Sequence, residues 1–279
     1  MQLSSRLIIG TVQFGLDYGI SNTKGKPTLN EVEEILNLAA DNGLSVLDTA
    51  SAYGNAESII GSLNCNRFKI VTKFLPESQY GCIDVQLIKS LARLKQNSVY
   101  GLLAHRPHEV VSNPVIWKKM LALKNEGKVY KIGFSFDNPD EYYAIRNQSI
   151  HPDLVQVPFN YFDNRFETII EELKRSGCEI HVRSAFLQGL FFSNINMLSP
   201  FFDEVKGIIS DLQDGFDKSL AAGLLRYVLE NKYIDKVVIG VQDKNQLNDI
   251  FESIENAPKL PRLNRRINHK ILQPSLWIK

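Results

Sequence analysis

The chain of 279 residues is 44% hydrophobic and 23% charged, which gives ample apolar surface for a core and little room for extensive disorder. With 32 basic against 31 acidic side chains, its formal net charge of +1 supplies no field for drawing in nucleic acid or an anionic membrane. Three widely separated cysteines, Cys65, Cys82 and Cys178, fit neither a disulfide framework nor a zinc ribbon and read as reduced thiols in a cytoplasm.

The first segment, LIIGTVQFG, is broken by Gln13 and followed by Asp17 without a small-residue cleavage site, so it reads as a strand and not a signal core. No apolar run reaches the roughly 18 residues of a membrane span. After the strand RLIIGTV comes a helix with Thr28 and Glu31 at capping-box spacing, an apolar stripe of Val32, Ile35, Leu36 and Ala39, and Gly43 to end it. LSVLD then precedes the short helix AESIIGSL, FKIVTK precedes CIDVQLIKSLARLKQN, and VYGLLAH precedes PVIWKKMLALKNEGK. VYKIGFS is followed by PDEYYAIRN, DLVQV by RFETIIEELKRSG, EIHVRS by SLAAGLLRYVLENK, and DKVVIG by NQLNDIFESIEN.

Most of these strands are nearly continuously apolar, the pattern of parallel strands covered on both faces. Eight strands alternating with eight helices predict an α/β fold, a (β/α)8 TIM barrel with a parallel eight-stranded sheet, as one domain over residues 1–279. An irregular stretch over about residues 187–214 has the length of a functional lid. The tail over about 258–279, with its prolines, basic residues and Trp277, is expected against the barrel exterior or at its mouth.

Barrel enzymes place catalysis at the C-terminal ends of their strands. Asp48 ends the second strand, Lys73 the third and His105 the fourth, and Tyr53 lies in the loop just past Asp48. Neighbouring strands are about 4.8 Å apart, so these side chains can converge in one pocket. Taken singly they read as a helix cap, a wall aromatic, a snorkelling lysine and a satisfied histidine; taken together at consecutive strand ends they point to chemistry. A free phenol, with pKa about 10, is a poor proton donor near neutrality, and an adjacent cation favours its ionised form. Lys73 is placed to be that cation, with Asp48 to orient it and keep it charged. His105 could donate a hydrogen bond to a substrate oxygen while negative charge develops there. With a hydride donor, the set would reduce a carbonyl, Tyr53 protonating the new alkoxide.

The chain resembles the aldo-keto reductase family from IIGTVQFG to VVIGVQDKNQL. LDTASAYGNAE is similar to the family's signature segment, VTK to its lysine strand, LLAH to its histidine strand, GKVYKIGFS to its fifth strand and QVPFN to its sixth. The resemblance implies Tyr53 as proton donor, His105 as substrate orienter, Asp48 and Lys73 as the tuning pair, and a nicotinamide cofactor held without a glycine-rich loop. It implies Gly10, Thr11 and Val12 near the nicotinamide, Ser135 and Gln156 on its carboxamide, and Leu187, Gln188 and Gly189 presenting backbone groups over the pyrophosphate. Gly240, Val241, Gln246 and Asp249 are the matching positions on the adenosine side.

Three positions depart from the family pattern. Phe136 follows Ser135 where an asparagine is usual, removing one carboxamide contact. Arg183 stands where a tyrosine often stacks on the nicotinamide, and its guanidinium could stack there or bind a phosphate or an acidic substrate. Gly240 and Gln246 occupy positions that often give basic ligands to the 2′-phosphate of NADP, with Lys244 as a possible substitute; the family alone favours NADP over NAD. Phe14, Tyr18, Arg106 and Tyr161 are candidate contacts for a small carbonyl substrate, an aldehyde, ketone or sugar derivative. The alternatives are a noncatalytic nicotinamide-sensing or interaction subunit on the same barrel, and a Schiff-base aldolase using Lys73, which Asp48 opposes by keeping the amine protonated. A metal hydrolase lacks a ligand set, because His105 and His108 have no companions at the strand ends.

Overall fold

Eight parallel strands close into one barrel in the computed structural model, which describes residues 2–277. They are β1 (Leu7–Gly10), β2 (Val46–Asp48), β3 (Lys69–Phe74), β4 (Val99–Ala104), β5 (Val129–Ser135), β6 (Leu154–Pro158), β7 (Glu179–Arg183) and β8 (Lys236–Ile239). Each strand pairs with its neighbour in sequence, and β1 closes the barrel on β8 with Ile8 beside Val238. The expected (β/α)8 architecture is the observed one.

Strand alternation decides which residues reach the mouth. Ile8, Val46, Val71, Leu103 and Leu154 form a buried cluster inside the barrel. Successive strand side chains point to opposite faces, so the residues two positions further, Gly10, Asp48, Lys73, His105 and Gln156, make the next inward layer toward the strand C-termini. The alternate set, including Leu7, Ile9, Leu47, Ile70 and Val155, packs outward with the helices in the main core. Each fully buried leucine or isoleucine there contributes about 1.5–3 kcal/mol. Gly133 is required where β5 meets β6, since an added Cβ would lie 1.8 Å from the Leu154 carbonyl oxygen.

The helices follow their sequence signals. Leu29–Asp41 begins with both bonds of the Thr28–Glu31 capping box and buries Val32, Ile35, Leu36 and Ala39. Asn138 and Glu141 form a second capping box at the start of Pro139–Asn147, which fixes the loop leaving β5. No helix of the described residues is long and apolar enough to cross a membrane. Cys65, Cys82 and Cys178 are all free thiols.

Two elements differ from the sequence reading. β1 stops at Gly10, and Val12–Gly15 forms a single helical turn that carries Gln13 into the mouth. The stretch expected to be irregular contains a full helix, Asp203–Phe216, which buries Val205, Ile209 and Leu212 at helical spacing. That helix belongs to a second apolar cluster with Tyr161, Phe191, Leu224, Leu260 and Ile271, so the polar residues between its apolar positions face solvent and masked its period. The tail packs on the same cluster, with Trp277 edge-on to Phe202 at 5.1 Å between ring centres, and it also reaches the mouth through Leu272–Ser275. The expected tail extended to residue 279, and its last two positions lie outside the described residues.

The opposite end of the barrel is held by a polar cluster. Glu179 accepts from the Tyr100 hydroxyl at 2.5 Å and from the Lys131 ammonium, and lies 2.7 Å from His181 Nε2. Burial alone would raise its pKa, but the His181 and Lys131 partners outweigh burial and hold the carboxyl well below its usual range. A depressed folded-state pKa adds stability that is fully present above the unfolded value and lost as pH falls toward the folded one. Glu179→Gln is therefore expected to lower the urea midpoint at pH 7, with the deficit shrinking as pH falls below about 4. A deficit that stays constant down to pH 3 would contradict this linkage.

Candidate active site

A cavity of about 660 Å³ opens at the C-terminal ends of the strands. Its wall takes residues from β1, from the loops after β2, β4, β5 and β7, from the β8 end with the helix that follows, and from the tail. Asp48, Tyr53 and His105 all line it, and Lys73 lies buried behind them.

The four residues form one connected group. Lys73 Nζ donates to both Asp48 carboxylate oxygens at 2.8 and 2.7 Å and to the Thr49 carbonyl at 2.9 Å. It also stands 3.4 Å from the Tyr53 hydroxyl. With its side chain 0% exposed and that of Asp48 4% exposed, the pair is a buried salt bridge whose ionised state needs every one of these partners. Burial pushes the Lys73 ammonium toward neutrality, but the adjacent Asp48 carboxylate outweighs it and holds the pKa above the ordinary lysine value. The alternation of β2 and β3 delivers both side chains to this layer, and the turn after Asp48 brings Tyr53 back over them through Tyr53 N–H to Ala50 carbonyl at 3.0 Å.

His105 meets the Tyr53 ring edge-on, with ring centres 5.9 Å apart. Burial first, and then the positive charges of Lys73, Arg106 and Arg183, push its pKa down to about 3, so the imidazole is neutral across the physiological range. Its Nδ1 is buried and has no hydrogen-bond partner. Tyr18 stands at the edge with 36% of its surface exposed, yet its hydroxyl is enclosed enough beside Tyr53 that desolvation pushes its pKa up to about 12. Arg106 and Arg183 share the Asp137 carboxylate on the same wall.

Most of the remaining positions expected at a cofactor converge here. Gly10, Thr11, Val12, Ser135, Gln156, Gln188, Gly189, Gly240, Val241, Gln246 and Asp249 line the cavity, as do Tyr18, Arg106 and Arg183. Gln156 donates from Nε2 to Asp48 Oδ1 at 2.7 Å, while its Oε1 is buried without a partner. That orphaned acceptor suits the amide N–H of a nicotinamide carboxamide. Gly240 lets Gln13 approach closely: a Cβ there would lie 2.6 Å from Gln13 Oε1, another buried acceptor without a partner. Gly189, at φ +89°, lets the loop after β7 pack on the loop after β1, where a Cβ would meet Ser21 Oγ at 1.9 Å.

Three expected side-chain contacts are placed elsewhere. Phe14 is buried in the main core beneath the one-turn helix, and Tyr161 lies in the second cluster with its hydroxyl donating to the Pro261 carbonyl at 2.9 Å, so neither walls the cavity. Leu187, expected to offer its backbone and not its side chain, packs that side chain into the second cluster. Lys244 turns outward to Glu34 at 3.1 Å and leaves the adenosine-side positions without its charge. Phe136, the departure beside Ser135, is fully buried and stacks on Phe134 with ring centres 5.5 Å apart, outside the cavity wall. Sequence reasoning missed Gln13, Ser21, Asp137, Lys218, Gln242 and Gln273 on the wall. Asp137 alone carried a signal, being a charged residue just past a strand end. His108 pairs with Glu141 at 3.2 Å, and no group of three or more potential metal ligands occurs among the described residues.

Comparison with known proteins fixes the family. The Aldo/keto reductase family model matches residues 6–267. The chain belongs to the aldo/keto reductase family. It is 24% identical over 299 residues to an oxidoreductase of Leptosphaeria maculans, covering 90% of this chain and 89% of that one. It is 25% identical over 248 residues to the glyoxal reductase of Bacillus subtilis strain 168, covering 85% and 84%. Among solved structures, an aldo-keto reductase from Bacillus halodurans in its holo form superposes with a TM-score of 0.72 at 18% identity, covering 92% of this chain and 88% of that one. At that identity the likeness speaks for the fold. As an aldo/keto reductase family member, the chain is an oxidoreductase.

Proposed function

We propose that this chain reduces the carbonyl of an aldehyde, ketone or keto-sugar to an alcohol, reversibly, with NAD(P)H as co-substrate and Tyr53 as proton donor. The observation that carries the reading is the Tyr53 hydroxyl 3.4 Å from a fully buried, charged Lys73 on the wall of the cavity. Support also comes from similarity to a protein named glyoxal reductase, whose name points to small carbonyl compounds.

A bound reduced nicotinamide supplies the hydride. The orphaned Gln156 acceptor, with Ser135 beside it, would hold the carboxamide, and the cavity that Gly10, Gly189 and Gly240 line would take the ring and the chain of phosphates. His105, neutral, would donate one N–H to the substrate oxygen and fix the carbonyl beside Tyr53. As negative charge develops on that oxygen, Tyr53 gives up its proton and the Lys73 ammonium stabilises the phenolate left behind. Asp48 and the Thr49 carbonyl hold Lys73 in place through this change.

The same geometry disfavours a Schiff-base aldolase. A lysine nucleophile must be neutral and open to substrate, whereas Lys73 is fully buried and held charged by Asp48. The complete four-residue group likewise favours turnover over a sensing subunit. For the dinucleotide, Gln246 and Asp249 line the cavity while Lys244 pairs with Glu34 away from it. Side chains at the matching positions thus suit a free 2′-hydroxyl, so the reading shifts from the family's NADP toward NAD.

Fluorescence titration with NADH and NADPH, followed by a panel of aldehydes, ketones and keto-sugars, tests the function; failure to bind either nucleotide would sink it. A neutral His105 also has a pH signature. The kcat/KM of the reduction is expected to show no limb between pH 5 and pH 7, and a histidine-like limb near pH 6.5 that vanishes in His105→Gln would contradict its assigned state.

A further inference from the structure

At the edge of the cavity two guanidinium groups share one carboxylate. Arg106, just past β4, donates from Nη1 to Asp137 Oδ2 at 2.7 Å. Arg183, at the end of β7, reaches across β6 and donates to Asp137 Oδ1, to the Phe136 carbonyl at 3.0 Å and to Ser184 Oγ at 3.3 Å. All three charged side chains line the same cavity as Tyr53 and His105.

Charge counting makes this arrangement more than a clasp between loops. Asp137 balances one arginine of the two, and Asp48 with Lys73 is neutral as a unit. The end of the cavity nearest Tyr53 therefore keeps one positive charge in excess. The other charged side chains on the wall, Asp217, Lys218 and Asp249, add no net positive charge. The side chains of Arg106, Asp137 and Arg183 are 54%, 38% and 24% exposed, so the group is open to a ligand. Arg106 engages Asp137 through one nitrogen, leaving donors on the guanidinium fork free for a second oxyanion. A carboxylate or a phosphate matches that fork, and Asp137 holds both forks in position before a ligand arrives.

We infer that Arg106, Asp137 and Arg183 form an oxyanion-selecting subsite, and that the carbonyl substrate carries a carboxylate or a phosphate near its reacting carbon. The substrate class rests on the proposed reductase activity; the subsite itself does not.

The test uses matched substrates: butanal against succinic semialdehyde for the carboxylate, and glyceraldehyde against glyceraldehyde 3-phosphate for the phosphate. In at least one pair kcat/KM is expected to favour the anionic member by about 10- to 100-fold, the range for hydrogen bonds to a charged group. Arg106→Met and Arg183→Met are each expected to lower that preference by about 10-fold or more. Because Arg183 also holds the Phe136 carbonyl, the largely exposed Arg106 carries the test if Arg183→Met does not fold. A ratio near one in both pairs, or a ratio that neither variant changes, would overturn the subsite. Calorimetric titration of malonate and of inorganic phosphate into the cofactor-free protein separates the two ideas. Binding that is weakened in Arg106→Met, with no carbonyl reduced, keeps the subsite and removes the reductase reading. Reduction of neutral aldehydes with no anion bound does the reverse.

Discussion

Tyr53→Phe is expected to lower kcat for carbonyl reduction by about 100- to 10,000-fold, the usual loss when a positioned acid is removed. The hydroxyl stands 3.4 Å from the Lys73 ammonium, and phenylalanine keeps the ring that meets His105 edge-on. Shape and cofactor affinity should therefore change little while proton donation is lost. Steady-state kinetics on any reduced substrate, with a parallel fluorescence titration of the nucleotide, would check this. A variant with a near-normal kcat would remove Tyr53 from the chemistry. Loss of nucleotide affinity equal to the loss in rate would show that the hydroxyl serves nucleotide binding and not proton donation.

Lys73→Met is expected to cost about 3–5 kcal/mol of stability, because it leaves the Asp48 carboxylate buried without its partner. Adding Asp48→Asn should recover a large part of that loss, since the double variant buries two neutral side chains. Urea unfolding of the wild type, both single variants and the double variant closes the cycle. Additive losses would mean that the two groups do not act as a pair. Reduction should stay severely impaired in all three variants, which separates the stabilising role of the pair from its role in holding a cation beside Tyr53.

Much of the fold was legible because barrel strands write their burial directly into sequence. Continuous apolar runs gave eight strands, and the capping box of Thr28 and Glu31 marked the first large helix to the residue. The candidate site was legible for the same reason, as Asp48, Lys73 and His105 follow the interior residues Val46, Val71 and Leu103 by two positions each. Long-range partners were not. Lys244 reads as a free cation until Glu34, some two hundred residues earlier, is folded against it. Phe14 and Tyr161 are aromatic residues a few positions past strand ends, and whether such a ring faces the cavity or the core depends on a backbone turn that one sequence does not specify. The helix Asp203–Phe216 did carry a signal, with Val205, Ile209 and Leu212 on one face, but its apolar partners lie on the tail and the loop after β7.

The arginine pair shows how the two kinds of information combine. Sequence marks Arg106 and Arg183 as unusual charges near strand ends. Only the folded chain joins them through Asp137, a residue that sequence reasoning passed over.

The central claim is most directly tested by following a labelled hydride. NADH and NADPH carrying deuterium at either face of C4 would be incubated with the protein and an aldehyde that the panel shows to be consumed, and the product alcohol examined by mass spectrometry. Deuterium bound to the former carbonyl carbon, from one face of the nicotinamide and absent in Tyr53→Phe over the same time, is the predicted result. An alcohol without deuterium from either face, or label transferred equally well by Tyr53→Phe, would contradict the account.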